Sequence, residues 1–89
     1  MIEREITIVN RAGVHTRPAA AIVKTASQFK SEFFINKDGM EINGKSIIGV
    51  MTLAAEQGSS LILRFEGSDE ALAADALVEL FASGFGEPS

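Results

Sequence analysis

The chain holds one histidine, His15, within Asn10-Arg11-Ala12-Gly13-Val14-His15-Thr16-Arg17-Pro18-Ala19-Ala20. Imidazole is a nucleophile near neutral pH, with an unperturbed pKa of about 6.5. The residues before His15 alternate as a strand does, and those after it follow helical spacing, so the ring falls at the start of a helix. The first N–H groups of a helix lack intrahelical partners and attract anions. With a guanidinium two residues on, such a ring can take up and release a phosphoryl group. Attack requires the neutral ring. A helix terminus and the nearby Arg11 and Arg17 both disfavour the imidazolium and so favour the form that attacks. The same groups then bind the phosphoryl oxygens. Arg17 offers two N–H donors in a fork that lysine cannot reproduce. The backbone N–H groups of Thr16 and Arg17 are further donors, whereas Pro18 has none and stiffens the turn.

The charge distribution fits this reading. The 89-residue chain carries a net charge of -4, which argues against nucleic acid as a partner. Yet no acidic residue lies between Glu5 and Glu32, where Arg11, Arg17, Lys24 and Lys30 fall. No basic residue follows Arg64, while Glu66, Asp69, Glu70, Asp75, Glu79 and Glu87 do. The surroundings of His15 are therefore expected to be cationic within an anionic protein. The absence of cysteine excludes a disulfide framework and a thiolate metal site, and a single histidine argues against structural zinc. No metal or cofactor is expected. No apolar run reaches the ~20 residues of a membrane span, and the N-terminus lacks the basic and apolar regions of a signal peptide. A monomeric cytoplasmic protein without membrane contact is the resulting expectation.

The elements that must position His15 can be read from periodicity. Ile2, Ile6 and Ile8 share one side of a two-residue period, with Glu3, Glu5 and Thr7 on the other, as in a half-buried strand. Asn10 to Gly13 reads as a turn. From Thr16 to about Phe29, Ala19, Ile22, Val23, Ala26 and Phe29 follow helical spacing, and Pro18 belongs in the first turn. Glu32 to Lys37 and Met40 to Asn43 read as strands joined by the hairpin signal Asp38-Gly39. Ser46 is a plausible N-cap for a short helix with Ile47, Ile48, Met51 and Leu53. Leu61 to Glu66 is a fourth strand. Ser68 or Asp69 can cap a last helix whose apolar face is Leu72, Ala73, Ala76, Leu77 and Leu80, with Gly84 as its stop. The length suits one domain over residues 1–89, with no linker or repeat. The order βαββαβα implies an α+β fold, with a four-stranded sheet covered on one face by three helices.

Residues Gly39 to Ser46 satisfy the nucleotide-binding pattern G-x-x-x-x-G-K-S. A P-loop would make the chain a nucleotide-binding module. Asp38-Gly39 reads instead as a hairpin turn, and Met40 and Ile42 alternate as a strand would, so the match is set aside.

Two segments carry a resemblance. Gly13-Val14-His15-Thr16-Arg17-Pro18-Ala19 and Asn43-Gly44-Lys45-Ser46-Ile47-Ile48-Gly49-Val50-Met51 resemble the active-site and serine motifs of the HPr family. These are the histidine-containing phosphocarriers of the bacterial phosphoenolpyruvate-dependent sugar phosphotransferase system. The resemblance covers essentially the whole chain. It departs from the commonest pattern at Gly44, where leucine is frequent, and at Ala54, where glycine is usual. It implies an open-faced β-sandwich with an antiparallel four-stranded sheet and three helices. It implies a carrier rather than an enzyme: His15 accepts a phosphoryl group on its δ nitrogen from phosphorylated Enzyme I and passes it to IIA components, with Arg17 contacting the phosphate. Ser46 resembles the site modified by HPr kinase/phosphorylase, and a transcriptional regulator is a further implied partner. Ile47, Ile48 and Met51 would form the apolar docking patch, although helical spacing is expected to put at least one of them in the core. A regulatory relative uncoupled from sugar uptake is the alternative within this family. Its clearest sign would be a missing active-site histidine, and His15 is present.

Overall fold

The computed structural model describes residues 1–89. The chain runs β1 (Ile2–Thr7), α1 (Thr16–Ala26), β2 (Glu32–Lys37), β3 (Met40–Asn43), α2 (Ile47–Thr52), β4 (Ser60–Glu66) and α3 (Glu70–Ala82), then a short turn, Gly84–Gly86. The strands form one sheet in the order β1-β4-β2-β3, with every pairing antiparallel. The expected α+β open-faced sandwich is therefore present.

Strand alternation decides which side is covered. On β4, Leu61, Leu63 and Phe65 are buried, while Ser60, Ile62 and Glu66 face out. The register sets Phe33 of β2 opposite Phe65, and Ile35 opposite Leu63. The Phe33 and Phe65 rings stack with centroids 4.8 Å apart. Each such side chain contributes about 1.5–3 kcal/mol through burial. Ile22 of α1, Val50 of α2 and Leu77 of α3 close the core from the helical side.

The β2–β3 hairpin turns at Asp38 (φ 52°) and Gly39 (φ 86°), the paired left-handed residues of the tight turn that the dipeptide announced. Gly44 lies flat under Phe33, and a Cβ there would overlap that ring. The ring thus occupies the space that a larger residue at this position would need.

Three sequence expectations are corrected. Helix α1 ends at Ala26 rather than near Phe29. Gln28 and Phe29 donate to the carbonyls of Thr25 and Ala26 in tighter turns, and the Asp69 carboxylate takes the N–H groups of Lys30 and Ser31. Asp69 stands at the N-cap of α3 but makes no side-chain cap bond, because its oxygens are committed to this link and to the Ser31 hydroxyl. Those bonds hold the Asp69 carboxyl below its usual value, the Ser31 hydroxyl contributing most. The buried face of α3 is Ala73, Ala74, Leu77 and Phe81, and Leu72 is exposed. Apolar residues surround this helix so evenly that spacing alone does not fix its rotation.

Ala54, just after α2, is held at φ 48°, in the left-handed region that glycine tolerates at no steric cost. Ala54→Gly is expected to raise stability by about 1 kcal/mol. Urea unfolding should show this as a higher midpoint at unchanged slope.

Candidate functional site

His15 ends a loop that is held from both sides. Asn10, fully buried, donates from Nδ2 to the Gly13 carbonyl at 2.8 Å. Gly13 adopts φ +70°, and a Cβ there would lie 2.5 Å from the Ala55 carbonyl oxygen. This close approach lets Val14 donate its N–H to that same oxygen at 2.9 Å and bury its side chain. With Val14 fixed inside, the next residue is turned outward. His15 takes the N-cap position of α1 in extended geometry, and no side chain caps the helix. Its carbonyl accepts the N–H of Ala19. Pro18 brings no N–H, so Thr16 and Arg17 present the free backbone donors of the first turn.

The His15 side chain is 43% exposed, and its Nε2 meets both oxygens of Glu87, at 3.0 and 2.8 Å. Arg17 donates from Nε to Glu87 Oε2 at 2.8 Å and from Nη2 to the Phe85 carbonyl at 2.8 Å. Asn10 Nδ2 donates to Glu87 Oε1 at 2.9 Å. His15, Arg17 and Asn10 therefore converge on one carboxylate whose side chain is only 12% exposed. Burial pushes the Glu87 carboxyl up, but the bonds from His15, Asn10 and Arg17, with the Arg17 charge, outweigh it and hold it down to about 2.

The turn after α3 delivers this carboxylate. Gly84, Phe85 and Gly86 have φ of 65°, 58° and 73°, three successive left-handed residues. Phe85 is buried with its ring edge-on to Phe81. Arg11 donates its backbone N–H to the Pro88 carbonyl at 2.8 Å, which pins the chain beyond Glu87.

His15 and Arg17 both reach the Glu87 carboxylate, and no bond joins the two side chains to each other. The expectation of an acid-free neighbourhood is overturned, because Glu87 arrives from the far end of the sequence, a placement no local window contains. Arg11 makes no bond to His15 or Glu87, and its guanidinium donates to the Ser89 carbonyl at 3.3 Å. Asn10 and Glu87 were missed as site residues. The signal that could have found Glu87 is Phe85, a large apolar residue between two glycines in an otherwise polar tail.

Ser46 caps α2, its Oγ accepting the Gly49 N–H at 3.1 Å. Ile47, Ile48 and Met51 are exposed by 44%, 77% and 43%, so none is a core residue, contrary to expectation. Positions i, i+1 and i+4 span an arc of only about 100° on a helix. Val50 and Leu53 supply the buried side instead. The Gly39–Ser46 segment runs through the hairpin turn and β3, and the Lys45 ammonium donates to the Phe29 carbonyl at 2.8 Å. It has no phosphate-wrapping loop.

Glu87 makes the stability of this end of the fold pH-dependent. Its carboxyl falls from 4.5 to about 2 on folding, so its contribution is complete above 4.5 and is lost as pH falls toward 2. The stability difference between the natural chain and Glu87→Gln, from denaturant unfolding, should shrink over that interval and stay constant above it.

A family model described as "PTS HPr component phosphorylation site" matches residues 2–83. The phosphocarrier protein HPr of Xylella fastidiosa (strain Temecula1) is 46% identical over 87 residues, covering 98% of each chain. That of Treponema pallidum is 47% identical over 87 residues, covering 98% of this chain and 99% of the relative. The crystal structure of HPr from Thermoanaerobacter tengcongensis superposes with a TM-score of 0.95 at 47% identity, covering all of both chains. The family model, these relatives and the shared fold make the chain a member of the HPr family of phosphocarriers, components of the phosphotransferase system.

Proposed function

We propose that His15 is the covalent carrier, receiving a phosphoryl group from phosphorylated Enzyme I and passing it to IIA components. The observation behind this reading is the exposed imidazole at the start of α1, beside two free backbone N–H groups and the Arg17 guanidinium. The Nη1 group of Arg17 makes no bond within the protein, so it is the edge that meets phosphoryl oxygens. A phosphoimidazole keeps a high transfer potential, and transfer is mainly a matter of positioning and charge. The carrier needs only to present the ring, and the partner protein supplies the remaining contacts.

Ile47, Ile48 and Met51 form an exposed apolar strip for partner docking, a surface that an isolated protein has no packing reason to leave uncovered. Ser46 stands at its edge as a regulatory site for HPr kinase/phosphorylase. A phosphate at the head of α2 agrees with the helix dipole, so the fold tolerates it while the docking strip gains negative charge. A transcriptional regulator that reads the modified serine would bind the same strip.

Incubation with phosphoenolpyruvate and Enzyme I should place one acid-labile phosphate on the natural chain and none on His15→Ala, with far-UV circular dichroism unchanged. Undiminished labelling of His15→Ala would refute the assignment. Ser46→Asp keeps a good N-cap and should slow phosphorylation of His15, whereas Ser46→Ala should cost about 1 kcal/mol of stability. An Enzyme I rate unaffected by Ser46→Asp would remove the regulatory role.

A further inference from the structure

We propose that Glu87 is a positioning residue for phosphoryl transfer: it holds the Nε2 proton of His15, orients the ring and directs Nδ1 to the incoming phosphorus. The inference rests on the phosphocarrier reading above and adds a residue to it. Nε2 is engaged by both Glu87 oxygens, at 3.0 and 2.8 Å, while Nδ1 makes no bond within the protein. A carboxylate accepts only, so the neutral ring facing it carries its single N–H on Nε2 and its lone pair on Nδ1. A carboxylate behind a reacting histidine fixes both the tautomer and the orientation of the ring.

The contact is built into the fold. Arg17 Nε and Asn10 Nδ2 hold the two carboxylate oxygens, and Asn10 is itself fully buried. Phe85 accepts left-handed geometry, which is sterically unfavourable for a bulky residue, in the turn that brings Glu87 to the ring. The Phe85 carbonyl also receives an Arg17 N–H. Strain maintained beside a reactive group is the usual mark of a functional constraint.

The transfer then balances without any proton changing place. The Nδ1 lone pair forms the new N–P bond, and the electron pair of the breaking bond stays with the donor. The ring acquires positive charge, shared with the Nε2–H that points at the Glu87 carboxylate. When an acceptor takes the phosphoryl group, the N–P electron pair returns to Nδ1, and the neutral ring leaves with the same proton on Nε2. The carboxylate offsets the charge in both directions, as a reversible carrier requires.

The test compares the natural chain with Glu87→Ala and Glu87→Gln. Two readouts are taken on each: nitrogen-15 NMR of the imidazole, and the initial rate of labelling by phosphoenolpyruvate and Enzyme I. The natural chain should show an exchange-protected Nε2–H resonance. Glu87→Ala should lose that protection and be labelled about 10–100-fold more slowly, the range seen when carboxylates behind metal-bound histidines are removed. Glu87→Gln keeps an acceptor oxygen without the charge, and should recover the resonance and part of the rate. Glu87→Ala with an unchanged resonance or an unchanged rate would overturn the proposal. Faster labelling of either variant would overturn it too, by making the carboxylate a plug. Absence of label on the natural chain would instead bring down the phosphocarrier reading itself.

Discussion

The site depends on one backbone hydrogen bond, from Val14 N–H to the Ala55 carbonyl. It fastens the β1–α1 loop to the chain leaving α2, and it forms only because Gly13 has no side chain. Val14 is drawn into the core, and His15, one residue on, is left outside at the head of α1. The imidazole is thereby both exposed and fixed in direction. The core supplies the rigidity, and a single residue step supplies the exposure.

That bond also ties together two regions that carry different chemistry. The segment Leu53–Ala55 follows directly from α2, which Ser46 caps and which carries the exposed strip. The left-handed geometry of Ala54 turns the chain so that the next carbonyl faces the His15 loop. The His15 ring and the exposed apolar strip are therefore joined through backbone rather than through mobile side chains, and stand in a fixed relation.

Much of this was legible beforehand. The tight hairpin at Asp38-Gly39, the Ser46 cap and the start of α1 at Thr16 follow from short-range backbone chemistry, which a linear string records directly. The rotation of α3 was not legible, because alanines and leucines surround it and only the bulk of Phe81 decides which side is buried. Periodicity does not reveal the exposure of all three residues of the α2 strip, because α2 is six residues long. On so short a helix, Val50 and Leu53 suffice for the core. Asn10 and Glu87 escaped notice because their roles exist only through contacts across the fold. Charge counted along a window cannot register a carboxylate that arrives from 72 residues away.

That separation bears on how the protein comes into being. Synthesis proceeds from the N-terminus, so His15 leaves the ribosome long before Glu87. The sheet also cannot be completed until β4 has emerged to fill the gap between β1 and β2. A nascent chain thus carries its one imidazole before the carboxylate that bonds to it has been made. The His15–Glu87 contact requires the Gly84–Gly86 turn to be in place against α3, through the Phe81–Phe85 ring contact.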